Sequence, residues 1–267
     1  MEEHGDRIVN GTNATQGQFP FIVSLSIVES KVVEHFCGGS IITKFWSLTA
    51  AHCIRAEIEI LIDKDVIKVL GNSHIVNKST QHDINCYKIH SKYDELQNTN
   101  DIALIRVKQP FNGTYEKIIA LPPRNFKYEN DQIVTIMGWG ALNFEGKLPN
   151  VLQYVQLRLI DNTVCQKIYD QIPQKNYLIK PDVMVCAGET TTDSCQGDSG
   201  GPLVLELRQG GVRHKYQIGI VSWGEGCGSG FPGVYVRVTK YISWMKGIIK
   251  KHNSGCKSKC ITRRRNT

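Results

Sequence analysis

Val155, Leu157 and Leu159 alternate with Gln156 and Arg158, the period-two pattern of a strand with one buried face. The runs VTIMGWG (134–140) and YQIGIVSWG (216–224) are short, apolar and closed by glycine, as strands ending in turns are. FCGGSII (36–42) and NDIALIRV (100–107) fit the same scheme. One segment differs. From about Thr239 to Lys251, the residues Ile242, Met245 and Ile249 recur at helical spacing behind Thr239, which suits an N-cap. Many short strands followed by one late helix predict an all-β protein built of antiparallel barrels or a sandwich.

The 267 residues suit one large β domain or two small ones. No apolar run approaches the length of a membrane-spanning helix, and nothing repeats at the periods of solenoids or propellers. Nine cysteines point to an oxidising compartment, with an odd one left over. Four N-x-S/T sequons, at Asn10, Asn13, Asn77 and Asn112, point the same way, although such triplets also arise by chance. The opening MEEHGDR has no apolar core and is no signal peptide. Secretion is therefore the expectation of the cysteines, with any leader lying outside this chain.

Charge is placed unevenly. Of the 32 Lys and Arg, seven lie in the last eighteen residues: Lys250, Lys251, Lys257, Lys259, Arg263, Arg264 and Arg265. The other 25 are matched by the 25 Asp and Glu, so the net +7 belongs to the tail. Such a tail either binds polyanions or is simply a solvated end.

Ser199 lies in GDSGG, where glycine neighbours let a carbonyl group approach the backbone. A serine hydroxyl attacks only when a base takes its proton, and histidine suits that role near neutral pH. His52, in LTAAHC, stands out among eight histidines because a cysteine follows it. A base needs an acid to fix its tautomer, and Asp101 precedes an apolar strand where it would be half shielded from water. Each motif is weak alone. In the order His, Asp, Ser, about 50 and 100 residues apart, they are strong together.

With RIVNG at 7–11, CGGSII at 37–42, LTAAHC at 48–53, NDIALI at 100–105, MGWG at 137–140, DSCQGDSGGPL at 193–203, VSWG at 221–224 and PGVYVRV at 232–238, the chain resembles the trypsin–chymotrypsin family of serine proteases. The resemblance runs from Ile8 to about Lys250. It implies two perpendicular six-stranded antiparallel β-barrels, at about 8–112 and 120–238, with a C-terminal helix over about 239–250. An activation segment (1–7) and a basic Cys-containing tail (251–267) would flank this peptidase domain.

The same resemblance assigns roles. His52, Asp101 and Ser199 become the triad, and the backbone N–H groups of Gly197 and Ser199 the oxyanion hole. Ser222, Trp223 and Gly224 would pair with the substrate backbone. Asp193 would floor a pocket for Arg or Lys, with Gly224, Gly226 and Gly233 keeping its walls open. Asp198 would receive the ammonium of Ile8 once the chain is cut after Arg7, so the sequence resembles a zymogen. The family's core disulfides map onto Cys37–Cys53, Cys165–Cys186 and Cys195–Cys227, each expected to stabilise by roughly 3 kcal/mol.

Cys86, Cys256 and Cys260 fall outside that pattern. Cys86 bonded to a tail cysteine and a local Cys256–Cys260 loop are both open. Pro232 argues against a sodium site, and Gly71–Asp83 lacks the paired glutamates of the family's calcium loop, so neither metal nor cofactor is expected. The expected partners are peptide substrates cut after Arg or Lys, protein protease inhibitors, and a polyanion at the tail. The enzyme itself would be a monomer. A silent homologue and a polyanion-binding protein are the competing functions, and an intact triad speaks against the first.

Overall fold

The strands called for by the alternating pattern close into two barrels. The structure is a computed structural model and describes residues 11–30, 32–141, 146–188, 197–226 and 230–252. After the two-residue β1 (Thr12–Asn13), the first half runs through β2 (Ile22–Glu29), β3 (Val32–Ile41), β4 (Trp46–Thr49), helix α1 (Ala56–Asp63), β5 (Ile67–Gly71), β6 (Thr80–Ile89) and β7 (Ala103–Val107). The second half runs through β8 (Ile133–Gly138), β9 (Gln153–Ile160), helix α2 (Asn162–Tyr169), β10 (Met184–Gly188), β11 (Pro202–Gln209), β12 (Val212–Trp223) and β13 (Gly233–Arg237), and ends in helix α3 (Ile242–His252). The first barrel closes in the order β2-β3-β4-β7-β6-β5. The second closes as β8-β9-β10-β13-β12-β11, all antiparallel, and β1 adds to the outer side of β9. Closure leaves neither sheet a long free edge.

Alternation along β9 is as read: Val155, Leu157 and Leu159 are buried and Gln156 and Arg158 exposed. Val134, Ile136, Leu157, Leu203 and Ile218 fill the second barrel, while Val23, Leu25, Trp46, Leu48 and Leu104 fill the first. The barrels also bond to each other. The Ser40 hydroxyl on β3 donates to Gln217 Oε1 on β12, with both residues fully buried.

Two helices were not anticipated. In α2, Asp161 caps the first turn by accepting from the Thr163 and Val164 N–H groups, and Cys165 and Tyr169 bury one face. α1 shows no fully buried residue and follows directly on the His52 turn. The late helix begins three residues beyond Thr239. A 3-10 turn, Val238–Tyr241, precedes it, because Thr239 does not cap: its hydroxyl and N–H turn to the Tyr128 hydroxyl instead.

Disulfides join Cys37 to Cys53 and Cys165 to Cys186, and Cys86 is buried on β6. Cys195, Cys227, Cys256 and Cys260 lie outside the described residues, as do Arg7, Ile8, Asn10 and Asp193. The other sequons, Asn13, Asn77 and Asn112, are exposed, and the Asn13 Oδ1 also accepts from Gln153 at 2.6 Å. No helix among the described residues is long and apolar enough to cross a membrane.

The segment crossing between barrels is pinned by a buried histidine–carboxylate hydrogen bond. His82 on β6 donates through Nε2 to Glu116 Oε1 at 2.7 Å, with 3% and 0% of the side chains exposed. The Gly113 N–H donates to the other carboxylate oxygen at 2.6 Å. A Cβ at Gly71 would sit 2.8 Å from Oε1, so the strand must present glycine there. Burial alone would push the Glu116 carboxyl up, but hydrogen bonds from His82 and the Gly113 and Asn112 N–H groups hold it below its ordinary value. Replacing Glu116 with Leu strands the buried His82 Nε2–H and the Gly113 N–H and should cost about 1–3 kcal/mol in urea unfolding at pH 7. Because the folded carboxyl titrates below the unfolded one, this stabilisation is complete above about pH 4.3 and fades as the pH falls through the folded value. The gap between wild type and variant should therefore close in acid. A loss under about 0.5 kcal/mol at pH 7, the level of an ordinary surface change, would show that the pair is inert.

Candidate active site

β4 carries the chain to the barrel rim, where Ala51–Cys53 forms one 3-10 turn that presents His52. The Cys37–Cys53 disulfide ties this turn back to β3. Asp101 sits two residues before β7, 2% exposed, and a carboxylate so buried must be supplied with donors. It has three. The His52 backbone N–H donates to Oδ1 at 2.8 Å, the His52 Nδ1 lies 2.7 Å from Oδ2, and the Ser222 hydroxyl donates to Oδ2 at 2.6 Å. A carboxylate accepts only, so Nδ1 carries a ring hydrogen, and in the neutral ring Nε2 is the acceptor.

Ser222 reaches Asp101 because of a bulge. On β12, Val221 pairs with Tyr235 and Trp223 with Val234, so Ser222 is the extra residue between them. A bulge re-aims one side chain without disturbing the flanking pairs, and here it sends a second-barrel hydroxyl into the first barrel's acid.

The loop bearing Ser199 lies over β3. The Gly38 N–H donates to the Ser199 carbonyl at 2.7 Å, and the Gly200 N–H donates to the Val221 carbonyl at 2.8 Å. Cys53 Sγ lies 3.6 Å from the Ser199 carbonyl oxygen and 3.9 Å from His52 Nε2, which places the serine backbone beside the histidine. Gly197 has φ +98°, and a Cβ there would come within 2.9 Å of the Gly140 Cα. Asp198 is 1% exposed, and its Oδ1 accepts the Gly140 N–H at 2.9 Å. A Cβ at Gly140 would collide with that carboxylate, which accounts for the second glycine of MGWG. The acid that His52 touches is Asp101, not the Asp198 next to the serine.

Gly224 follows β12 and faces Gly233, the first residue of β13: a Cβ on Gly224 would lie 3.8 Å from the Gly233 Cα. Gly226 takes a left-handed φ of +72°. Beyond Trp223, the segment 171–181 adds a wall that the sequence reading missed. Tyr177 stacks on Trp223 at 5.2 Å and 21°, and its hydroxyl donates to Glu225 Oε2 at 2.6 Å. Lys175 reaches the same carboxylate at 2.7 Å, and these two partners hold Glu225 below its ordinary pKa. A cavity of about 230 Å³ lies between this wall and the Leu96–Asn98 turn, with Leu96 and Leu178 exposed beside Trp223.

Among the described residues, Cys37, His52 and Cys53 have the spacing of a metal cluster. The two sulfurs are bonded to each other and offer no thiolate, so the donor set does not fit a metal. A second missed residue is His35, buried on β3 with its Nε2 2.9 Å from the Gly197 carbonyl oxygen. Its signal was there to find: a histidine two positions before Cys37, at an inward-facing position of an apolar strand.

Comparison with known proteins agrees with this arrangement. A family model described as trypsin matches residues 8–245. A tryptase of Mus musculus is 35% identical over 251 residues, which is 91% of this chain and 89% of that protein. Two closed barrels, a late helix and a match over nearly the whole chain leave one assignment: the chain belongs to the trypsin family of serine proteases and is a trypsin-like serine endopeptidase.

Proposed function

We propose that the chain is a secreted endopeptidase that cuts after Arg or Lys and is released from a zymogen by cleavage between Arg7 and Ile8. The observation that carries the catalytic part is the three-donor grip on Asp101, which engages His52 through Nδ1 and leaves Nε2 clear of the acid. Nε2 takes the Ser199 hydroxyl proton as that oxygen attacks the scissile carbonyl carbon. Asp101 stabilises the resulting imidazolium and does not take its proton. The carbonyl oxygen becomes an oxyanion and receives the Gly197 and Ser199 N–H groups, each worth roughly 10²–10³ in rate. His52 then passes the proton to the leaving amine, and water repeats the sequence on the acyl-enzyme.

Specificity rests on Asp193, two residues before Cys195, as the floor of a pocket whose glycine walls are Gly224, Gly226 and Gly233. Arg meets such a carboxylate with two parallel hydrogen bonds and Lys as a point charge. An apolar side chain would leave the acid desolvated and without a counter-charge, so it is rejected. The substrate backbone runs beside Ser222–Gly224 as an added strand, and protein inhibitors would occupy the same groove. Residues 8–250 form the peptidase domain and 1–7 the activation segment. Residues 251–267 form a basic tail open to polyanions. A Cys195–Cys227 disulfide would tie the nucleophile loop to the pocket wall. The enzyme acts as a monomer, with glycans at used sequons.

The activated enzyme should hydrolyse Arg and Lys peptide amides, and Ser199→Ala should abolish turnover. Asp193→Ser should remove the basic preference while the triad still reacts with small activated esters. Equal cleavage after Phe or Leu by the wild type would refute the pocket assignment.

Before cleavage Ile8 has no ammonium to offer Asp198, and forming such a buried ion pair is what would order the nucleophile loop. An uncleavable Arg7→Gln chain should therefore be nearly inert toward the same amides. Full activity of that chain would show that activation does not run through Ile8.

A further inference from the structure

The composition of α1 and its burial disagree. Its sequence, AEIEILID, holds three isoleucines and a leucine, yet none of its residues is fully buried and Ile60 is 56% exposed. Ile58, Leu61 and Ile62 are only half-buried against the core. A short helix draws its stability from packing rather than from propensity, so an open apolar flank on an eight-residue helix calls for a cover. The same helix carries Glu57, Glu59 and Asp63 with no cation among its residues. None of these three acids makes a salt bridge among the described residues, whereas the neighbouring Asp65 is taken by Lys68 and Lys108.

A groove runs from this helix to α3. A cavity of about 750 Å³ is lined by Glu59 of α1, Tyr87 of β6, His90, and Trp244, Ile248 and His252 of α3. The described residues end at His252, on the rim of this groove, and residues 253–267 follow it in sequence. They contain Lys257, Lys259, Arg263, Arg264 and Arg265, one apolar branched residue, Ile261, and no acid. This segment starts among like charges: burial pushes the His252 pKa down, and Lys88, Lys251 and Arg106 around it push it further the same way. Relief lies across the groove, where Glu59 stands on α1 and Glu95 on the loop after β6. Asp94 lines the groove too, but its Oδ1 already accepts the Leu96 and Gln97 N–H groups. At about 3.3 Å per extended residue the segment spans up to roughly 50 Å, so charge rather than length decides where it settles.

We propose that residues 253–267 dock in the groove between α3 and α1, setting their Lys and Arg side chains on Glu57, Glu59 and Asp63 and Ile261 on the open apolar flank of α1. Because the segment is tethered at the groove's rim, its effective concentration there is in the millimolar range, and a few weak contacts hold it. α1 begins just beyond the turn that presents His52, so the docked segment braces the stretch of chain that carries the base. A polyanion would compete with α1 for the same cations.

The test uses the full chain carrying Ser199→Ala, so that it does not cut its own basic segment. A carbodiimide joins an amine to a carboxylate only where the two are in contact. At low protein concentration it should link Lys257 or Lys259 to Glu57, Glu59 or Asp63 within single chains. Hydrogen exchange of the α1 amides gives the second readout. Changing Lys257, Lys259, Arg263, Arg264 and Arg265 to Gln should speed that exchange by about 10-fold and leave the β12 amides unchanged. Salt at about 1 M, where the screening length falls to about 3 Å, should bring the parent chain close to the Gln variant. Glu57→Lys with Asp63→Lys should also speed α1 exchange, and changing the five tail cations to Glu in that background should slow it again. Links confined to other acids, or α1 exchange indifferent to the Gln changes, would overturn the proposal. Links that form only between chains would overturn it too, because the occupant would then be a second copy.

Discussion

A carboxylate that is 2% exposed must be met by donors or abandoned, and the fold is arranged around meeting Asp101. Among the described residues, donors from two barrels converge on it. The His52 backbone and ring come from the first barrel, and the Ser222 hydroxyl comes from the second. Moving one barrel against the other would withdraw Ser222 from Oδ2 and leave a buried charge with one donor fewer. The penalty for that loss, about 1–3 kcal/mol or more for a charged group, helps lock the cleft geometry. The acid that orients the base therefore also helps to hold the two halves in register.

The parts of this arrangement that were legible in the sequence are those encoded within a few residues. The alternation of Val155, Leu157 and Leu159 and the glycines closing YQIGIVSWG are local facts, and the strands follow them. His52, Asp101 and Ser199 could be picked out because LTAAHC, TNDIALI and GDSGG are each compact and their order is informative. Features made by pairing across the chain were hidden. Ser222 reads as one more residue of a strand, and only its partners across β13 show that it is bulged. His35 reads as a packed core histidine until the loop 162 residues away is laid over it. α2 was missed for a different reason: its two buried positions, Cys165 and Tyr169, make one short stripe, too brief for periodicity to register.

The cleft's outer wall follows the same logic. Tyr177 holds its place by stacking on Trp223 and by a hydrogen bond to Glu225, both contributed by the end of β12. Lys175 adds a partly exposed ion pair of small energetic weight, which contributes more to geometry than to stability. The wall is thus fastened to the strand beside which a substrate would lie, so the two cannot drift apart independently.

Cys37 and Cys53 give the molecule a chemical lock as well as a mechanical one. One half of the bond sits on the strand that grips the Gly197 and Ser199 carbonyls; the other sits in the turn that presents His52. Reduction would loosen the supports of base and nucleophile loop in a single event, while most barrel packing remained. In a thiol-rich cytosol such a chain would keep much of its shape and lose the alignment needed to cut. Proteolytic competence would then depend on surroundings in which disulfides persist.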